Sequence, residues 1–328
     1  MQNTAEKIED LSPRPVISVI IPNLNGIKYL ERCLNSLQSQ SFRDFEVILV
    51  DDGSTDSSVE FIKKNYPWVR IVKHKVIKGF SVTVNDGIKV SKGKYIVLLN
   101  NDTLVDKLWL EKLYNAARKN PTAGFFASKM YFFGRDKLIN AVGDAMGIDG
   151  CAWNLGYYQK DEEKYFLPKK VFGACAGAAL YRREMLDEIG FFDEDFIMVY
   201  EDTDLSFRAQ LMGYECIFVP KAVVYHVQFG TLAPTSERGV FYRSANSLNT
   251  LIKNMPLKLF LKYFYKIYRG QVSQIKELST SFSLSKHVLK GKLRALKMLP
   301  NMLRKREKIQ RSKRATDEYI RNLLLSEL

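Results

Sequence analysis

The chain has 328 residues, 46% hydrophobic and 26% charged, with a formal net charge of +14. That length holds one large α/β domain with an appendage or two small domains, and the composition excludes a disordered or fibrous chain. The charge is uneven: residues 251–328 carry 19 Lys and Arg against 5 Asp and Glu, while residues 1–250 are neutral, the pattern of a neutral body with a basic region that meets something anionic.

No apolar run approaches the length of a membrane span; Ala174 to Tyr181 is among the longest. Met1 to Asp10 is polar and lacks the layout of a signal peptide. Cys33, Cys151, Cys175 and Cys216 are scattered and form no CxxC pair. This argues against a zinc site or a disulfide framework and for free thiols in a reducing, cytoplasmic compartment.

In chain order, Val16 to Ile21 reads as a buried strand ended by Pro22 and Asn23, with turn chemistry in Leu24-Asn25-Gly26. From Tyr29, Leu30, Cys33, Leu34 and Leu37 share a helical face. Phe45 to Val50 is a strand ending in Asp51 and Asp52. Ser57 with Glu60 predicts a capping box opening a helix over Ser58–Asn65. A strand over Val69–Val72 and a helix within Gly79–Val90, carrying Asn85, follow. Tyr95 to Leu99 is a continuous apolar run that stops at Asn100, Asn101 and Asp102. Strands alternating with helices at this spacing predict βαβ units and a parallel sheet. Ligands bind at the carboxyl edge of such a sheet, and a nucleotide suits that crevice. Neither a dinucleotide fingerprint nor a P-loop is present, so phosphates must be held another way. A carboxylate at Asp102 suits a hard cation that also binds phosphate oxygens; a plain Asn-Asp turn is the alternative.

Trp109 to Ala117 reads as a helix. Residues 125–170 resist assignment; Tyr131 to Phe133, Trp153, Tyr157 and Tyr158 there line a substrate cleft or pack as ordinary core. Gly173 to Gly177 is a small-residue run that lets backbone approach a ligand closely. A helix over Arg183–Ile189 precedes Glu201-Asp202-Thr203-Asp204. Three carboxylates in four residues either cap a helix N-terminus or include a base with a tuned pKa. Cys216–Val219 and Ala222–Tyr225 read as two short strand pieces around Pro220, the second ending at His226. His226 beside Asp102 and a diphosphate makes a site for Mn2+ or Mg2+. Over Leu257–Tyr268, a basic helical face (Lys258, Lys262, Lys266, Arg269) opposes an apolar one (Leu257, Phe260, Leu261, Phe264, Tyr268). Two readings stand: a helix in a membrane interface, or one docked on the body. A dense basic run over 286–314 binds anionic lipid or nucleic acid.

The ordered series Val19 to Asn25, Val50 to Asp56, Asn85-Asp86-Gly87, Leu98 to Asp102, Gly177, Gly190 to Glu194, Glu201 to Asp204 and His226 resembles glycosyltransferase family 2, the inverting enzymes with a GT-A fold. Within it, the chain is similar to the rhamnosyltransferase-like subgroup that builds surface polysaccharides. The resemblance covers residues 16 to about 230. It implies an α/β fold of GT-A type, a Rossmann-like mostly parallel sheet flanked by helices, followed by a basic C-terminal helical region. The expected layout is a polar tail over 1–15, a catalytic domain over 16–250 and the helical region over 251–328.

The resemblance also implies roles. Pro22, Asn23, Asn25, Asp51, Asp52, Asn85 and Asn101 serve the nucleotide pocket, with Asp52 and Asp51 at the base and ribose. Asp102 and His226 hold a divalent metal, Mg2+ or Mn2+; Asn100 stands where the family's metal motif has its first Asp. Asp202 is the catalytic base, with Glu201 and Asp204 as acidic neighbours. The implied donor is a UDP-, dTDP- or GDP-sugar, and the acceptor a glycan or lipid-linked hydroxyl at the cytoplasmic membrane face. A nucleic-acid-binding protein is the rival reading; it is disfavoured because the body is neutral and the tail's aromatics cluster on one amphipathic face. A nucleotidyltransferase is a further rival, which usually needs a glycine-rich phosphate loop that Pro22 to Lys28 does not supply.

Overall fold

The computed structural model describes residues 14–135, 137–227 and 236–325, Leu325 by its backbone alone. Apart from residues 14 and 15, the expected polar tail lies outside the described residues. The chain opens with β1 (Ile17–Asn23), α1 (Ile27–Gln38), β2 (Phe45–Asp51), α2 (Ser58–Asn65), β3 (Arg70–Lys73), α3 (Phe80–Val90) and β4 (Tyr95–Leu99). There follow β5 (Thr103–Val105), α4 (Trp109–Lys119), β6 (Ala123–Phe132), β7 (Ile139–Ala141), β8 (Asp144–Met146), β9 (Ala152–Asn154) and β10 (Lys169–Val171). After β11 (Ala178–Arg182) come α5 (Arg183–Ile189), α6 (Glu201–Leu211) and β12 (Glu215–His226). The chain closes with α7 (Glu237–Asn254), α8 (Leu257–Lys262), α9 (Phe264–Leu278), α10 (Phe282–Ser312) and α11 (Asp317–Leu325).

The central sheet runs β10-β12-β6-β11-β4-β1-β2-β3, with β5 on β12 and β7 on β6. β1 is parallel to β2 and β4, and β2 to β3. β11 is antiparallel to both β4 and β6, and β12 is parallel to β6. The carboxyl ends of β1, β2, β4, β6 and β12 therefore share one edge, which gathers Asn23, Asp51, Asn100, Phe132 and His226 there. Alternation along the strands sorts the core into two layers. Val19, Ile21, Leu49, Val97 and Leu99 pack with α1 and α4; Ile20, Ile48, Val50, Ile96 and Leu98 pack with α3 and α5.

Four local expectations change. The Ser57–Glu60 capping box does not form; Asp56 Oδ1 accepts from the Ser58 backbone N–H (3.1 Å) and hydroxyl instead. The shorter Asp56 side chain reaches the first turn and also accepts from Ile27 N–H, so it ties α2 to α1. The two strand pieces around Pro220 are one strand, β12, whose register slips between Val219 and Val223; a bulge is where a strand accommodates a proline, which has no N–H for the ladder. The amphipathic helix expected over 257–268 breaks at Tyr263 into α8 and α9. The break lets Leu259 and Ile267, eight positions apart, reach one apolar cluster. Finally, the expected division at residue 250 falls inside α7.

That helix is joined to the body by buried charge. Asp204 on α6, wholly buried, bonds Arg208 Nε at 2.9 Å, Lys253 Nζ at 2.8 Å and Asn254 Nδ2 at 2.8 Å. Lys253 also meets Asp193 at 2.5 Å, and Lys305 on α10 bridges Asp193 (2.5 Å) and Asp195 (2.6 Å). Burial works to raise the Asp204 carboxyl pKa, but Lys253 and Arg208 outweigh it and hold it below its ordinary value. Lys253→Ala leaves two buried carboxylates short of a partner, so it is expected to cost about 3–5 kcal/mol. Guanidinium unfolding of the variant checks this; a cost under about 1 kcal/mol would mean that the network contributes little to stability.

Candidate active site

A cleft of about 360 Å³ opens at the carboxyl edge of the sheet. β1 contributes Pro22 and Asn23, the end of β4 Asn100, Asn101 and Asp102, the small-residue run Cys175, Ala176 and Gly177, and the start of α6 Glu201 and Asp202. Leu24, Asp52, Ile77, Gly79, Phe80, Thr83, Met198, Val199, His226 and Arg238 complete the wall.

Hydrogen bonds between strand ends set the floor. Asn101 Nδ2 donates to Asn23 Oδ1 at 2.7 Å, and Asn23 Nδ2 donates to Asp51 Oδ1 at 3.0 Å. Gly26 lies over this pair: a Cβ there would come within 2.0 Å of Asn101 Nδ2, so only glycine fits. Asp52 is fully engaged by protein, accepting from Lys78 N–H (2.8 Å), Gly79 N–H (2.9 Å) and the His74 ring at 2.8 Å. Its carboxylate thus shapes the loop that brings Ile77, Gly79 and Phe80 to the cleft.

Several expected residues brace the cleft from behind and do not line it. Asp51 is buried between Asn23 and Ser54. Asn25 Oδ1 accepts from Thr55 N–H at 2.8 Å. Asn85 bonds both backbone groups of Phe192. Asp204 is directed into the ion network already described and away from the cleft. Of the aromatics, Tyr131 bonds Asp161 and Phe132 packs on Tyr157 and Tyr158; none of them lines this cleft.

The electrostatics centre on two carboxylate sites. Asp102 is buried and its Oδ1, without a hydrogen bond, lies 3.2 Å from His226 Nε2. Asn140 Oδ1 sits 3.0 Å from His226 Nδ1; a proton on Nδ1 satisfies that contact and leaves the Nε2 lone pair facing a carboxylate oxygen. Two lone-pair donors facing each other fit a cation between them and a diphosphate. Among the described residues no group of three or more His, Cys, Asp and Glu is placed to hold a metal, so such a cation would take its remaining oxygens from ligand and water.

At the second site Asp202 opens to the cleft, accepting from Thr203 N–H at 2.8 Å and Ala176 N–H at 3.3 Å. Burial pushes its pKa up against those bonds. Burial, and then the charge of Asp202, raise Glu201 and Asp144 as well. Asp144, His74, Asn140 and Arg238 were not singled out from the sequence. His74 carried a signal like that of His226, a rare histidine at a strand end: it directly follows β3, and His226 is the last residue of β12. Arg238 begins a helix 12 residues beyond His226 and gave no sequence signal.

This edge-of-sheet cleft, with a carboxylate closing the fourth strand and an acid-tipped helix opposite, defines an α/β sugar-nucleotide-type transferase fold of the GT-A class. Residues 18–190 match the model of glycosyl transferase family 2. A cholesterol galactosyltransferase of Borreliella burgdorferi is 30% identical over 289 residues, 81% of this chain and 78% of that protein. The chain belongs to glycosyltransferase family 2. In fold it is similar to the mannosyltransferase PcManGT from Pyrobaculum calidifontis in complex with GDP-Man and Mn2+ (TM-score 0.52, 17% identity, 92% of this chain and 86% of that one). It is also similar to GalNAc-T7 with UDP, GalNAc and Mn2+ (TM-score 0.63, 17% identity, 88% and 56%). The chain spans half or less of the length of several other curated relatives, between 24% and 49%.

Raised carboxylate pKa values carry a stability consequence. The folded state disfavours the ionised form, so stability falls as pH rises from the ordinary Asp pKa of about 3.9 towards the raised folded value. Asp202→Asn is therefore expected to raise the melting temperature of the metal-free protein at pH 7.5, with the gain vanishing below about pH 4. Thermal unfolding across pH reads this; a variant less stable at pH 7.5 would contradict it.

Proposed function

We propose that the chain transfers a sugar from a nucleoside-diphosphate sugar to a hydroxyl acceptor in one inverting displacement. The observation that carries this is Asp202, a carboxylate with a raised pKa, sharing one cleft with the Asp102–His226 pair. The acceptor oxygen attacks the anomeric carbon, the bond from that carbon to the diphosphate oxygen breaks, and its electron pair leaves with the nucleoside diphosphate. The acceptor's proton passes to Asp202. A divalent cation held by Asp102 and His226 would offset the charge on the leaving diphosphate. Arg238, on the same wall, supports the diphosphate with a permanent positive charge. The Pro22–Asn23 and Gly79–Phe80 walls take the nucleoside. The similarity to a cholesterol galactosyltransferase and a poly-beta-1,6-N-acetyl-D-glucosamine synthase supports a hexosyl donor and a part in glycan or glycolipid synthesis.

The acceptor reading extends to a membrane surface. No helix among the described residues is long and apolar enough to cross a membrane. Yet Leu257, Leu261, Phe264 and Tyr268 stand exposed on α8 and α9, beside exposed Lys258, Lys262, Lys266 and Arg269. On α10, Leu289, Leu293 and Leu296 repeat the arrangement at helical spacing, next to Lys286, Lys290 and Lys297. Apolar side chains flanked by lysine fit an anionic lipid surface; the same basic flanks would repel a second copy. We infer a peripheral enzyme with a lipid-linked acceptor.

Two measurements test these readings. Asp202→Asn should lower turnover by about 10²–10⁴-fold while nucleotide-sugar binding holds; undiminished turnover removes Asp202 as the base. In flotation with phosphatidylglycerol vesicles, the protein should float, and Leu261→Glu with Phe264→Glu should release it. Flotation equal to wild type would discard this face as the membrane contact.

A further inference from the structure

The segment Phe196–Tyr200 leads directly into Glu201 and Asp202, and its backbone is strained. Val199 and Tyr200 have φ of 61° and 74°, left-handed values that a β-branched residue adopts only when its surroundings impose them. Both positions matter to the cleft: Met198 and Val199 line it, and Tyr200 is the residue before the first turn of α6.

Three contacts impose that conformation. On one side Phe80 N–H donates to Ile197 O at 3.0 Å. The Tyr200 hydroxyl is held between Gly150 O and Ala152 N–H, each at 3.0 Å. On the other side Asn246 of α7 donates through Nδ2 to both Met198 O (3.0 Å) and Val199 O (2.8 Å). Asn246 is fully buried. It heads a buried polar face of α7 that continues through Thr250, Lys253 and Asn254, at the i+4, i+7 and i+8 positions of one helical stripe. The last two grip Asp204, two residues beyond Asp202. One helix thus holds the base's segment before and after the carboxylate. An apolar stripe would fill the same space without the desolvation cost of buried amides and charges; a stripe of donors aimed at a strained turn is suited to fixing geometry.

We propose that Asn246 is a positioning residue for the transfer reaction: it holds Val199 and Tyr200 in their left-handed conformation and so aims Asp202 into the cleft. This rests on the reading of Asp202 as the base. It makes α7 and the helices bound to it part of the catalytic apparatus.

The test uses the full chain with Mn2+ and a panel of UDP-glucose, UDP-galactose, GDP-mannose and dTDP-rhamnose, following nucleoside diphosphate release. Asn246→Ala should lower kcat at least tenfold with the donor KM within twofold. Glycine adopts left-handed φ freely, so in a Val199→Gly background the same substitution should cost less than threefold, a coupling that a double-mutant cycle isolates. A purely structural asparagine would lower the melting temperature and leave kcat unchanged, which overturns the proposal, as does an equal loss in both backgrounds. If Asn246→Ala does not fold, Asn246→Ser is read in its place. Hydrogen exchange at residues 197–203 gives a readout without turnover: it should rise at least tenfold in the variant, and unchanged exchange counts against the proposal. Asp202→Asn run alongside separates the two ideas. If it keeps turnover, the base reading fails; if it is inactive while Asn246→Ala keeps kcat, only the positioning role fails.

Discussion

A carboxylate with no access to water must find its partners inside the protein. Asp204 does so in Arg208 of its own helix and in Lys253 and Asn254 of α7. Breaking such a pair strands a buried charge, so α6 is tied to the C-terminal helices by contacts that are costly to break one at a time. Asp193 and Lys305 extend the constraint to α10. Because Asp202 lies half a turn from Asp204, the electrostatics that join the helical region to the sheet also fix the place of the Asp202 carboxylate, the proposed base. The C-terminal helices therefore have two faces: an inner one of buried polar groups turned to α6 and the turn before it, and an outer one of leucine, aromatic and lysine side chains turned to solvent.

The cleft and the residues directly behind it are where the fold tolerates unfavourable chemistry. Asp144, Glu201 and Asp202 all have pKa values raised by burial, Asp102 keeps an oxygen without a hydrogen bond, and Val199 and Tyr200 hold left-handed backbone. Unpaired buried acids and strained turns cluster where a ligand is to supply the missing partners. Other buried ions are paired, as Lys129 is with Asp161 at 2.8 Å.

Much of this was legible in the residues. Strands β1, β2 and β4 were marked by short apolar runs that stop at polar residues, and the end of the β4 run then put Asp102 at the sheet edge. Helices α2 and α5 begin and end at the expected residues, although the Ser57–Glu60 capping box that was to open α2 does not form. What could not be read was direction. Asp202 and Asp204 are chemically alike and two positions apart, yet a helix turns them about 200° from each other, and only tertiary packing decides which faces the cleft. Asn25, Asp51 and Asn85 have the right chemistry for a nucleotide, and they serve instead as braces because neighbouring backbone reaches them first. The stretch 125–170 was opaque because its strands are three residues long apart from β6, too short for alternation to show. The polar stripe of α7 escaped notice because serine, asparagine and threonine on a helix ordinarily face water.

The most direct test of the account is calorimetric titration of the wild-type chain with UDP, GDP and dTDP sugars, each with Mn2+ and again in chelator, beside Asp102→Ala. The account predicts that at least one of these donors binds, that chelator weakens its binding tenfold or more, and that Asp102→Ala behaves with Mn2+ as the wild type does in chelator. Binding that is equally tight in chelator and in the variant would contradict the role given to Asp102 and His226, and no binding of any donor would contradict the cleft as a sugar-nucleotide site.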